Sequence, residues 1–243
     1  MSPGTRAWLP GIGARAMRGS AAAVVLLLGA ADTVLAQKVA SPVSEPLTPH
    51  RAIYEISLAD AHGGSGVTEL NGRMVYELTG SACQGYTQNM RFVTRMTSQD
   101  GAVSLSDMRS SSWEDALSKA FRFNSSQYKD TKLEESTDGD ANRNDAGGEV
   151  KVEITKPAKK AISLKRDTYF PVQHSMALLT AARKGERFLI ADLYDGSEKG
   201  EKVFTTTSYI GQPKPEGYNR NLPVAENAEP LNGLKSWPIS ISY

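Results

Sequence analysis

The chain has 243 residues, 23% of them charged and 7% aromatic, with a formal net charge of +1 and a mean hydropathy of −0.39. This length allows one large domain or two small ones, and the hydropathy excludes a protein built mainly of membrane spans. Removing Arg6, Arg15, Arg18 and Asp32 from the 28 basic and 27 acidic side chains leaves residues 37–243 with a net charge of −1, which gives no case for nucleic acid as a partner.

The N-terminus reads as an export signal. Arg6, Arg15 and Arg18 form a positive leader. An apolar or small run from Ala21 to Ala31 follows, and Val34 and Ala36 stand as a −3/−1 cleavage pair before Gln37. The run is short against the ~20 residues that span a bilayer, so removal is expected rather than a permanent membrane anchor. No cysteine follows the run, so no lipobox is present. Residues 1–36 are therefore assigned as a signal peptide, and export places the mature protein in a periplasm. Residues 37–50, with Pro42, Pro46 and Pro49, read as an extended leader. Residues 51–243 read as a single domain.

In chain order, Ala52, Tyr54, Ile56 and Leu58 share one face at period two. His62-Gly-Gly-Ser-Gly66 reads as a turn, and Asn71-Gly72 as a hairpin between short strands at 67–70 and 73–78. Residues 86–96 form the next expected strand, with Tyr86, Met90, Phe92 and Thr94 on one face, and Asp100-Gly101 turns it into an alternating stretch at 102–112. Residues 113–120 are expected to add a helical turn. Phe121 and Phe123 then share a face of a strand at 121–128. Residues 137–148, rich in Asp, Asn and Gly, read as a loop. Val150, Val152 and Ile154 alternate in the next strand, and 161–165 forms a brief one.

Phe170-Pro171 opens an expected helix, with Pro at its first position, Leu178, Ala181 and Ala182 on one stripe, and Gly185 at its end. Two more strands, at 186–194 and 202–210, flank a turn at Asp195-Gly196, and Phe188 and Ile190 share a face of the first. Residues 212–233 are irregular. Ile239, Ile241 and Tyr243 alternate with Ser240 and Ser242, a strand pattern with no tail, which reads as an incomplete C-terminus. About ten strands and one helix, without βαβ alternation, point to an antiparallel barrel or sandwich.

Signals for chemistry are few. There is no G-x-S-x-G, HExxH or CxxC, and the three histidines are His50, His62 and His174. His174, next to Ser175, reads as a capping or packing residue rather than a catalytic base. Asp138, Asp140, Asn142 and Glu149 fall at positions one, three, five and twelve of a calcium loop, but Arg143 occupies the sixth, where a sharp turn needs Gly. Residues 195–200 read as a hairpin rather than a phosphate cradle. No catalytic, cofactor or metal site is assigned. The one cysteine, Cys83, is left as a reactive thiol, an intermolecular bridge, or one half of a disulfide with no partner in the chain.

Several stretches resemble one family, the cell-envelope integrity protein EipB family of Gram-negative bacteria. They are Leu47-Thr-Pro-His-Arg-Ala-Ile-Tyr54, the block from Gly72-Arg-Met-Val-Tyr76 through Ala82-Cys-Gln-Gly-Tyr-Thr87 to Arg91-Phe-Val-Thr94, and Phe121-Arg-Phe123. Further on come Phe170-Pro-Val-Gln-His174, Leu193-Tyr-Asp-Gly-Ser-Glu-Lys-Gly200 and Trp237-Pro-Ile-Ser-Ile241. The resemblance implies a mainly β fold, a long antiparallel sheet coiled into a spiral or half-barrel with one helix in its concavity. It implies a periplasmic protein that supports envelope integrity under stress, with no established enzymatic activity. It also implies that Cys83 pairs with a cysteine near the C-terminus, and this chain ends before any such residue.

The expected function is therefore non-enzymatic support of the envelope through protein–protein interaction, with envelope proteins as partners. The alternative is a carrier holding a lipid or lipoprotein acyl chain. Its groove would be lined by Tyr54, Ile56, Met74, Tyr76, Phe92, Phe121, Phe123 and Leu178. A plain core accounts for the same alternation, the apolar face packing on the helix through Leu178 and Leu179.

Overall fold

The computed structural model describes residues 46–61, 66–144, 149–215 and 228–243. The signal peptide, the leader up to residue 45 and the glycine-rich turn at residues 62–65 lie outside them. Among the described residues no helix is long and apolar enough to cross a membrane.

Strands β1 (His50–Ser57), β2 (Val67–Ser81), β3 (Gly85–Ser98), β4 (Val103–Glu114), β5 (Ala120–Lys129), β6 (Lys132–Arg143), β7 (Val150–Lys156) and β8 (Lys160–Leu164) form one antiparallel sheet in chain order. β1 and β8 do not pair, so the sheet is open. Helix α1 (Pro171–Lys184) follows. β9 (Phe188–Leu193), β10 (Phe204–Ile210) and β11 (Ile239–Ser242) then make a three-stranded antiparallel sheet in the order β11-β10-β9.

Three apolar clusters join these parts. Phe121, Phe123, Val152 and Ile154 of the large sheet are buried with Phe170 and Tyr194. The rings of Phe121 and Phe170 stack at 5.0 Å, and Tyr194 meets Phe123 edge-on at 5.7 Å. The Tyr194 hydroxyl donates to the Gly200 carbonyl at 2.8 Å, and burial pushes its pKa up, so it stays a donor. Leu78 and Tyr86 are buried with Val172 and Met176 of α1. Leu178, Ala181 and Ala182 meet Ile210 of the small sheet. The two ends of the helix thus serve different sheets. Each large apolar side chain buried this way stabilises the fold by about 1.5–3 kcal/mol.

Three local expectations are corrected. Asn71-Gly72 is no hairpin but lies inside the continuous strand β2, where Ser57 and Ile56 of β1 face it on one side and Arg95 and Thr94 of β3 on the other. A Cβ at Gly72 would stand 2.6 Å from the Val93 carbonyl oxygen, so this glycine serves close strand approach. Residues 113–120 hold no helical turn. β4 runs through Glu114, and the turn after it is closed by the Asp115 carboxylate, which accepts from the Ala120 N–H at 2.8 Å. Of the loop expected at 137–148, residues 137–143 are instead the second half of β6, paired with β5 and β7, and residues 145–148 lie outside the described residues. Pairing on both sides outweighs the turn preference of Asp, Asn and Gly.

Two other expectations hold, at Gly101 and Gly185. Gly101, at φ 79°, turns β3 into β4, and Gly185, at φ 77°, ends α1 with its N–H on the Ala181 and Ala182 carbonyls. Phe188 and Ile190 do share a face, and it is the outer one, 61% and 69% exposed.

Candidate functional site

Antiparallel register puts directly opposed residues on one face of the sheet. One row runs Tyr76, Met90, Ser110, Ser125, Thr137 across β2 to β6, and a second runs Leu78, Gln88, Ser112, Phe123, Gly139. A third runs from Tyr54 on β1 through Met74, Phe92, Met108 and Gln127 to Glu135. Ile56 and Phe121 belong to the same face. All seven strand residues expected to line a groove therefore share one side of the sheet.

The chain after β9 divides that face. Residues 195–198 pass over it and meet Phe123. A Cβ on Gly196, which adopts φ 76°, would stand 2.4 Å from the Phe123 ring. On one side of this crossing Phe121 and Phe123 are sealed in the core. On the other a cleft of about 480 Å³ opens over the middle of β2 to β6, walled by Asp195, Gly196, Ser197 and Glu198 and by Pro171 at the start of α1. Its floor includes Tyr76, Gln88, Met90, Met108, Ser110, Ser112, Ser125 and Gln127. That volume falls in the ~300–1,000 Å³ range of small-molecule sites.

Of the eight expected groove residues, Tyr76 and Phe123 border the cleft. Tyr54, Ile56, Met74 and Phe92 continue the same face beside it, and Tyr54 is 47% exposed. Leu178 lies elsewhere, packed with Ile210 of the small sheet. The sequence reading missed the polar floor. Its signal was the parity of Ser110 and Ser112, which alternate in step with Met108 and so share its face.

The floor is partly wired. Gln88 Nε2 donates to the Tyr76 hydroxyl at 2.8 Å, and Gln127 Nε2 donates to Ser106 Oγ at 2.6 Å. Both amide oxygens and the Tyr76 O–H are left to act outward. Among the described residues none of the lining is Lys or Arg, while Glu135, Asp195 and Glu198 all line the cleft. A larger hollow of about 720 Å³ lies against the C-terminal end of α1 near Trp237. Its described lining includes Pro213, Lys214 and Pro215 as well as Gly233 and Leu234.

The helix entrance carries the most perturbed carboxyl. Phe170, at the N-cap, supplies no side-chain oxygen to the first turn. Glu114 fills the role from β4: its carboxylate accepts from Val172 N–H at 2.8 Å, Gln173 N–H at 3.1 Å and Ser118 Oγ at 2.9 Å. Burial pushes its pKa up to about 7, against the three hydrogen bonds, which favour the charged form. His174 is buried one turn on, with Nε2 3.3 Å from Thr206 Oγ1. Thr206 Oγ1 itself donates to the Ala191 carbonyl, so the imidazole N–H donates to it. Burial lowers the pKa of His174, which holds the ring neutral. Its ring also meets that of Tyr169 edge-on at 6.3 Å.

The other candidates separate. Asp138, Asp140 and Asn142 lie on the strand β6, where Asp138 accepts from Thr155 Oγ1 and Asp140 from the Asn142 amide. Among the described residues no three His, Cys, Asp or Glu side chains cluster to hold a metal. Cys83 is exposed in the turn between β2 and β3. On the opposite face of the sheet, Asp107 bridges Arg91 and Arg109 at 2.8 and 2.7 Å, and the two guanidinium groups lower its pKa to about 2.

A family model described as EipB-like matches residues 42–243. The chain belongs to the EipB-like family. It is 37% identical over 201 residues to the cell envelope integrity protein EipB of Brucella abortus (strain 2308), a match covering 81% of this chain and 68% of that protein. It also superposes with a TM-score of 0.72 on a crystal structure from Brucella abortus, described as a β-barrel-like protein of a domain of unknown function. The identity there is 36%, over 81% of this chain and 80% of the other. The barrel-like description suits an eight-stranded sheet that curls without closing. Of the motifs that carry the resemblance, one spans the β2–β3 hairpin, one opens α1, and residues 193–200 run from the end of β9 into the wall of the cleft.

Proposed function

We propose that the protein supports the integrity of the cell envelope, working in the periplasm as a non-enzymatic protein that binds other envelope proteins. Membership of the EipB-like family supports the role, and the leader sequence supports the compartment. The observation that favours binding is the outer face of the small sheet. Phe188 and Ile190 of β9 and Tyr209 of β10 adjoin there, 61%, 69% and 44% exposed, with the Phe188 and Tyr209 rings 5.4 Å apart. A contiguous apolar patch left open on a folded surface marks an interaction site. The test is genetic complementation. A strain lacking the gene is challenged with detergent and osmotic stress and given either the native gene or one carrying Phe188→Glu and Ile190→Glu. Restoration by the native gene alone, with equal amounts of folded protein, supports the reading; equal restoration contradicts it.

The acyl-chain alternative draws on Met90, Met108 and Tyr76, which give part of the cleft an apolar, adaptable floor. The serines weigh against it. An acyl chain laid across Ser110, Ser112 and Ser125 would bury three hydroxyls beneath a group that cannot bond them, at about 1–3 kcal/mol each.

A further inference from the structure

The cleft has a chemistry that the stability of the fold does not explain. Central strands are usually filled with β-branched and aromatic residues. Here three neighbouring strand positions facing the cleft, Ser110, Ser112 and Ser125, are serine, and none makes a side-chain hydrogen bond among the described residues. Around them stand the free oxygens of Gln88 and Gln127, whose amide nitrogens are already engaged, and the Tyr76 O–H. Groups that accept thus alternate with groups that both donate and accept. That pattern complements a ligand made of hydroxyls, each of which also does both. Met90 and Met108 supply small apolar patches between the polar rows.

Charge and topology narrow the class. Among the described residues the lining has three carboxylates and no cation, which disfavours phosphates, sulfates and anionic lipid headgroups. The cleft lies over β3 to β5, whose backbone groups are paired on both sides, so a peptide cannot be held there by strand addition. We infer that the cleft between residues 195–198 and the floor of β2 to β5 binds a neutral, hydroxyl-rich ligand, a short oligosaccharide. This site is separate from the apolar patch on the small sheet and does not rest on the protein-binding proposal.

The experiment is a ¹⁵N NMR titration of the purified protein with two probes, maltotriose and chitotriose. With at least one trisaccharide, saturable shift changes should concentrate in the amides of residues 110–112 and 125–127. Gln127→Ala, and separately Ser110→Val, should weaken that binding by about tenfold, the loss of one good hydrogen bond. Phe188→Glu should leave it unchanged, which separates this site from the patch. The spectra of both cleft variants report whether the fold is intact. No saturable change with either sugar overturns the inference. So does binding that both cleft variants leave intact, or occupation of the same amides by dansyl-undecanoic acid that neither sugar displaces.

Discussion

Glu114 on β4 and Val172 in the first turn of α1 are joined by a 2.8 Å hydrogen bond between parts of the chain 58 residues apart, and this bond fixes where the helix enters the sheet. A side chain from a distant strand does the work of an N-cap residue. Glu114→Ala leaves the Val172 and Gln173 N–H groups and the Ser118 hydroxyl without this acceptor. The expected loss is about 1–3 kcal/mol of stability, read by urea denaturation at pH 5.

The same carboxyl makes stability depend on pH. Its pKa is about 7 in the folded protein against 4.5 as the ordinary value, so the folded state holds a proton that the unfolded chain releases. The contribution is fully present below pH about 4.5 and is lost as pH rises through about 7. The wild-type melting temperature should therefore carry a downward component across that window, and Glu114→Gln should remove it. Identical pH profiles for the two proteins would contradict the assignment.

Asp107 acts in the opposite sense. Held at about 2 by Arg91 and Arg109, it contributes stability above its ordinary pKa of 3.8, and that contribution is lost as pH falls toward 2. The arginine side chains are 57% and 52% exposed, so screening limits the effect. Asp107→Asn should lower stability by about 1 kcal/mol at pH 7 in low salt, and by less in 1 M salt.

Gly196 is required on two counts, a left-handed backbone and contact with the Phe123 ring. Gly196→Ala should destabilise the fold by about 1–3 kcal/mol and shift the amides of residues 195–198 along with the Phe123 ring signals. Gly101→Ala meets only the first requirement, since nothing lies within 4 Å of its Cβ position, and should lose about 1 kcal/mol.

Period-two patterns carried most of the architecture. Val150, Val152 and Ile154, or Phe121 and Phe123, announce strand and buried face together because a strand with one buried face must alternate. α1 was equally legible, since Pro171 and Gly185 mark its ends by local backbone preference. What failed was punctuation. Asn71-Gly72 and the polar run at 137–143 carry strong turn chemistry, yet long-range pairing decided both. The floor of the cleft escaped for a similar reason. Serines such as Ser110 and Ser125 carry no apolar signal, and only register brings them together. Glu114 was illegible in principle, because its partners are backbone groups of a helix that the fold delivers.

The most direct test of the central claim is survival of a strain lacking this gene under envelope stress, scored with and without the native gene expressed in trans. The account predicts that loss of the gene sensitises cells to detergent and osmotic shock, and that restoration requires a copy bearing residues 1–36. Unaltered survival without the gene, or full rescue by a copy confined to the cytoplasm, would contradict it.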